Sequence, residues 1–405
     1  MTDAYRWIKK SLRTLHQAHW YRSVQSIEGR SGPVVTIDSR PSINLASNDY
    51  LGFASDPRLI ARVKEAVETY GTGSTGSRLL SGHRSLHREL EKAIAHLKHT
   101  EDAIVFSSGY LANLGTIAAL VNSRDLILSD EYNHSSLKKG STLSGATVIT
   151  YAHSDLIDLE AKLAESRSLY RRCLILTDGV FGMDGDACAL AEILDLGDRF
   201  EAMVMIDEAH SVGVLGETGA GCAEHFGCRD RPMVQMGTLS KAFASLGGYV
   251  AGNAQLIDFL RNRAATWIYT TGLSAADTAA ALGSISLLAQ EPDRLISIHQ
   301  NAQYLKEQID RVLSTRSLCT QTSSLHLKRL PSDSAIICLQ VKDAATILTI
   351  SKYLRANGVF ASAVRPPTVP ISRLRLSLMA THTSDHIDQF VKVFSRGLTD
   401  GFKSV

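Results

Sequence analysis

Asp207-Glu208-Ala209-His210 and Thr238-Leu239-Ser240-Lys241 carry residue types suited to amine and carbonyl chemistry. Asp207 closes an apolar run, Ala202-Met203-Val204-Met205-Ile206, that reads as a buried strand. His210 follows just after it, and Lys241 lies in a polar turn one strand and loop downstream. A lysine amine can hold an aldehyde as a Schiff base. A carboxylate can keep a pyridine nitrogen protonated, so that the ring draws electrons from a carbanion. The pair points to pyridoxal phosphate (PLP).

A phosphate needs its own seat. Ser107-Ser108-Gly109-Tyr110 follows an apolar run ending at Phe106 and opens a helical pattern, Leu111 to Val121. Such a turn offers free N–H groups and the positive end of a helix dipole, and a serine there also caps the helix. His134, in Asp130-Glu131-Tyr132-Asn133-His134, sits past another strand end and could stack on an aromatic ring. Gly71-Thr72-Gly73-Ser74-Thr75-Gly76 matches a dinucleotide fingerprint in letters only, because a helical pattern precedes it where a strand is required. It reads as a polar loop lining a site. His83 and His87 have helical spacing but lack the glutamate and third ligand of a zinc site, so they read as a helix face and no metal is expected. No Walker A lysine and no G-x-S-x-G elbow occur.

These residues need a scaffold. Short apolar strands alternate with helical segments: 103–106, 126–129, 147–151, 173–177, 203–207, 233–236 and 248–251. That alternation predicts an α/β domain with a mostly parallel seven-stranded sheet flanked by helices, whose ligands bind at the carboxyl ends of the strands. Residues 1–45 read as an N-terminal arm, 46–288 as the large domain, and 289–405 as a linker helix and a smaller α+β domain. In the last part, 335–341, 359–364 and 374–378 read as strands, 344–357 and 384–397 as helices, and 286–313 as one long amphipathic helix. With 405 residues, 44% hydrophobic and 21% charged, the composition is that of an ordinary globular protein. A formal net charge of +2 gives no reason to expect nucleic acid or an acidic membrane as partner. Cys173, Cys188, Cys222, Cys228, Cys319 and Cys338 form no C-x-x-C pair and suggest reduced, buried thiols. No signal peptide or membrane-spanning stretch is legible, so a cytoplasmic location is expected.

From Asn48-Asp49-Tyr50-Leu51-Gly52 to Arg373-Leu374-Arg375, the sequence resembles the α-oxoamine synthases, PLP enzymes of fold-type I. Ser77-Arg78-Leu79-Leu80-Ser81-Gly82 and Arg365-Pro366-Pro367-Thr368-Val369-Pro370 resemble the members that use L-alanine rather than glycine. The resemblance implies decarboxylative condensation of L-alanine with pimeloyl-CoA or a pimeloyl carrier protein, in a homodimer with shared active sites. It implies that Lys241 carries the cofactor, Asp207 pairs with the ring nitrogen, His210 bonds the ring phenolate and His134 stacks on the ring. Ser108, Gly109, Tyr110 and Thr238 would hold the phosphate, and Thr271 would reach the phosphate of the other subunit. Arg375 would clamp the amino-acid carboxylate, and Asn48 would line the substrate side. Arg22 and Arg365 are candidates for the distal carboxylate or the thioester carrier. Two departures stand out: Gly182 replaces the family's usual serine, which implies a hydrogen bond lost or taken over by water, and the segment before Arg375 is slightly short. The rival readings are a relative using glycine or another acyl-CoA, an aminotransferase or lyase on the same fold, and a silent homologue; a silent homologue would be expected to lack Lys241.

Overall fold

The structure, a computed structural model, describes residues 3–316 and 325–403. Cys319 lies outside the described residues. Among them, the strands are β1 (Val34–Ile37), β2 (Arg40–Leu45), β3 (Asp102–Phe106), β4 (Leu126–Asp130), β5 (Thr147–Tyr151), β6 (Cys173–Asp178), β7 (Met203–Asp207), β8 (Val234–Thr238), β9 (Gly248–Gly252), β10 (Lys328–Arg329), β11 (Ile336–Gln340), β12 (Val359–Val364) and β13 (Arg373–Ser377). The chain forms two compact units: 48–182 with 186–299, and 1–47 with 183–185 and 300–405.

In the larger unit a seven-stranded sheet runs β3-β9-β8-β7-β6-β4-β5. β8, β7, β6, β4 and β5 pair in parallel, while β9 is antiparallel to both its neighbours, β3 and β8. Continuous apolar sequences such as Cys173–Asp178 are buried at every position because helices cover both sheet faces. β5 lies at the sheet edge and is correspondingly exposed at three of its five positions. The seven strands are those read from the sequence, with ends moved by a residue or two. Each central strand changes from apolar to polar at its carboxyl end: Ser129-Asp130, Thr177-Asp178, Asp207 and Thr238. The chain thereby buries its apolar part and collects its chemistry at one edge.

The smaller unit is built on a six-stranded sheet, β1-β2-β12-β13-β11-β10. Residues 34–45, read above as part of an arm, are β1 and β2, and β2 pairs in parallel with β12 through Val359 and Ile43. The separation of more than 300 residues hid that pairing, since a lone amphipathic hairpin carries no mark of its partner. The helix Arg6–Gln17 precedes them and buries none of its side chains. The expected single helix over 286–313 is also corrected. Helix Ala275–Gln290 ends and Asp293–Arg316 begins anew, with Glu291-Pro292 between them. Proline lacks the N–H and turns the residue before it away from helical angles, and Glu291 has φ −127° and ψ 62°. Cys173, Cys188, Cys222, Cys228 and Cys338 are buried and form no disulfide among the described residues.

Candidate active site

Polar groups converge at the carboxyl edge of the larger sheet. Asp207 ends β7 and is 3% exposed. Its Oδ2 accepts from Asn113 Nδ2 at 2.7 Å, and its Oδ1 accepts from the Ala209 N–H at 2.9 Å. Asn113 is wholly buried on helix Gly109–Leu120 and also donates to Ser136 Oγ at 2.8 Å. Asp178, the cross-strand partner of Asp207, accepts from the His134 N–H at 2.6 Å. Burial pushes the Asp178 carboxyl well above its ordinary range, and the neighbouring Asp207 adds to the rise. Repulsion between the two carboxyls is thereby relieved at Asp178.

Lys241 follows β8, and its Nζ lies 3.0 Å from His210 Nε2. His210 Nδ1 lies 2.6 Å from the Tyr50 hydroxyl, which donates to Asn48 Oδ1 at 3.3 Å. One proton arrangement satisfies the row: Lys241 donates to Nε2, and Nδ1–H donates to Tyr50. Gly182 explains how the imidazole fits. A Cβ built there would collide with Nε2 and come within 2.6 Å of Cδ2 of His210. The histidine ring itself occupies the room left by the absent side chain.

The phosphate-type seat forms where helix Gly109–Leu120 starts. Ser108 is its N-cap and accepts from Leu111 N–H at 3.2 Å. The first turn of any helix leaves N–H groups that need outside acceptors. A Cβ on Gly109 would lie 3.2 Å from Thr238 Oγ1, and one on Gly248 would lie 2.5 Å from the Gly109 nitrogen. Two glycines thus let the helix start and two strand ends close on one another. Thr238 Oγ1 donates to the Gly247 carbonyl at 3.0 Å and sits 2.8 Å from Ser240 Oγ. Tyr110 is 43% exposed beside this turn. The carbonyl of Thr271 accepts from Ser107 Oγ at 3.1 Å.

His134 caps helix Ser135–Ser144, its Nδ1 lying 2.6 Å from Ser136 Oγ. Burial lowers its pKa, against the pull of Asp207. The residue remains solvent-exposed, and what sets it apart from a plain loop histidine is the capping contact of its Nδ1. His87 is no outward helix face: it is 1% exposed, completes a capping box with Arg84 and lies 2.8 Å from the Leu273 carbonyl.

The smaller unit holds the arginines. Arg373 and Arg375 are both buried on β13. Arg373 is bound to Asp184 and to the Met183 carbonyl, whereas Arg375 Nη1 donates to Ser377 Oγ at 2.8 Å. Arg22 donates to Thr368 Oγ1 at 2.8 Å. Arg365 donates to the carbonyls of His19 (2.6 Å), Tyr21 and Ala363. Three of the five Arg365 N–H donors thus go to backbone oxygens and fasten residues 19–21, which leaves one N–H on each terminal nitrogen.

The residues fit PLP. An amine, a buried oriented carboxylate and a helix start narrowed by glycine share one strand edge, and each suits one part of that molecule. Sequence reasoning missed Asn113 and undervalued Tyr50 and Asp178. For Asn113 the available signal was a lone amide in the apolar helix sequence GYLANLGTIAAL.

A model of the aminotransferase class I and II family matches residues 40–394. A protein of Trichormus variabilis (strain ATCC 29413 / PCC 7937), provisionally named 8-amino-7-oxononanoate synthase, is 58% identical over 395 residues, covering 98% of this chain and 99% of that one. Among solved structures, a variant of serine palmitoyltransferase from S. paucimobilis with a bound PLP–myriocin adduct matches with TM-score 0.87 and 28% identity, over 98% of each chain. The 8-amino-7-oxononanoate synthase of Francisella tularensis matches with TM-score 0.75 and 27% identity, over 89% of this chain and 99% of that one.

Proposed function

Because the chain belongs to the aminotransferase class I and II family of PLP enzymes, and within it to the α-oxoamine synthases, we propose that it condenses L-alanine with a pimeloyl thioester. The products are 8-amino-7-oxononanoate, the free thiol carrier and CO2, a step of biotin biosynthesis. The observation that carries the reading is the meeting of Lys241, the buried Asp207 and the helix start at Ser108 at one strand edge. The provisional names of the 58%-identical relatives support the choice of substrates.

PLP, when bound, supplies an aldehyde that condenses with amines and a protonated ring that stabilises a carbanion. The protein's own residues would take the remaining roles. Asp207, turned by Asn113, would pair with the ring nitrogen and keep it protonated. Lys241 would hold the cofactor, and its amine would serve as the base for the alanine Cα proton. Ser108, Gly109, Tyr110 and Thr238 would receive the phosphate, and Thr271 would reach the phosphate of the other subunit. His210 orients Lys241 and Asn48 anchors that row through Tyr50, while His210 would bond the ring phenolate and His134 would stack on the ring. His134 Nδ1 lies against Ser136 and accepts from its N–H, which leaves the ring proton on Nε2 for the acyl oxygen of the thioester. Arg375 binds the amino-acid carboxylate, since Arg373 is taken by Asp184. Arg22 would meet the distal carboxylate or the thioester carrier.

The higher TM-score to serine palmitoyltransferase favours a second reading, another amino acid with a long-chain acyl thioester. The test is to supply the PLP-loaded protein with L-alanine, glycine or L-serine, each with pimeloyl-CoA or palmitoyl-CoA. Under the proposal, CO2 and free CoA appear in equal amounts with alanine and pimeloyl-CoA, and Lys241→Ala abolishes both. Turnover only with serine and palmitoyl-CoA would establish the second reading, and turnover by Lys241→Ala at the parent rate would refute both.

A further inference from the structure

His153 has no part in the steps above, yet it joins two loops that carry the site. It follows β5, in the larger unit. Its Nδ1 lies 3.0 Å from Asp130 Oδ1, and its Nε2 lies 3.0 Å from Asp186 Oδ2. Both ring nitrogens face carboxylate oxygens, so both are donors and the ring is an imidazolium. It stacks on Tyr132 at 4.3 Å, and the edge of Phe181 closes the other side at 4.4 Å.

Each carboxylate governs a loop. Asp130, at the end of β4, accepts from the N–H groups of Tyr132 (2.7 Å) and Ser154 (2.9 Å), and so shapes the turn that leads to His134. Asp186 lies in the return of the loop after β6, where its carbonyl accepts from Phe181 N–H at 2.9 Å and Val180 pairs with Ala187. That loop presents Gly182 to His210. A neutral ring would satisfy one carboxylate and leave the other facing a lone pair.

We propose that His153 is a positioning residue: its imidazolium ties the loop bearing His134 to the loop bearing Gly182, and so sets the two sides of the PLP ring site relative to each other. The inference rests on the PLP reading above. Burial alone would lower the histidine's pKa, but the hydrogen bonds from Asp130 and Asp186, and their charges, outweigh it and raise the value to about 9. The titratable and charged groups around the ring are Asp130, Asp186 and Tyr132. Asp158 and Lys162, on helix Leu156–Ser166, hold the backbone on either side of Tyr151, at Ala152 N–H and the Thr150 carbonyl. As pH rises through about 9 the clamp loses its charge and the loops lose their tie.

The test has two arms. In the parent protein, the His153 ring resonance, assigned through its backbone, is titrated by NMR; the clamp requires a pKa near 9, and a value at or below the ordinary 6.5 overturns it. This arm needs neither a variant nor activity. In the second arm, His153→Gln is loaded with PLP and compared with the parent. The expected result is retained PLP absorbance, an altered visible circular dichroism of the cofactor, and kcat roughly tenfold lower with little change in KM. The parent's fall in kcat above about pH 9 should be absent from the variant. A variant with the parent's dichroism, kcat and pH profile overturns the proposal. A parent that binds no PLP strikes at the functional reading alone, and leaves the NMR arm to decide whether the clamp exists.

Discussion

Asn113 shows how much a single amide can decide. It spends both amide hydrogens, one on Asp207 and one on Ser136, in a site closed to water. Asn113→Ala should free Asp207 to rotate, costing about 1.5–3 kcal/mol of a charged hydrogen bond, and the measurement is the dissociation constant of PLP. Gly182→Ser tests the neighbouring packing. The new Cβ must push the His210 ring aside, with an expected destabilisation of about 1–3 kcal/mol from overpacking and a weakened contact between His210 and Lys241. Denaturant midpoints read the first effect and the pH dependence of kcat reads the second. At this scale the sequence was partly legible. Asp207 and Lys241 announced themselves because a carboxylate ending an apolar strand and a lysine in a polar turn are out of place in a plain core. Asn113 and His153 did not, because their importance comes from partners many residues away, which spacing along the chain does not encode.

Helix Gly109–Leu120 is the element on which the phosphate seat depends, and its closeness to the sheet rests on a residue with no side chain. Gly248→Ala would drive a methyl group into the Gly109 backbone, so the helix start must retreat. We expect a loss of about 1–3 kcal/mol in stability and a larger loss of affinity for inorganic phosphate or PLP, since the N–H groups move with the helix. Equilibrium dialysis against PLP checks this; unchanged binding would show that the helix start is not the seat. The seven strands of the larger sheet were legible because each is a short apolar run ended by polar residues. The hairpin of β1 and β2 was not, since its pairing with β12 spans the chain. The break at Pro292 could have been read directly, because a proline inside an amphipathic pattern ends a helix more often than it bends one.

For the whole molecule, three histidines bound the stable pH range from both sides. Burial, aided by Arg78, holds His87 down to about 4, and burial, aided by His386, holds His382 down to about 4. Both are neutral when folded and gain protons more readily when unfolded. Stability is therefore full above the ordinary 6.5 and is lost as pH falls from there toward 4. His153 has the opposite sign: its raised pKa stabilises the fold fully below 6.5, and that contribution is lost as pH rises through about 9. Calorimetric Tm should thus peak near neutrality and fall on both flanks. A Tm that does not change between pH 4 and 6.5 would show that His87 and His382 do not titrate as buried neutral groups.

The place of β9 in the larger sheet bears on the order of events during synthesis. β3 and β8 are joined only through β9, which is made after both. A growing chain that has emerged through Lys241 already carries the amine and Asp207 on the directly paired β7 and β8, yet lacks the strand that joins β3 and its phosphate-binding turn to them. Translation through Gly252 therefore sets the earliest moment at which the cofactor can be captured, and a nascent chain stalled before it should leave free PLP in solution.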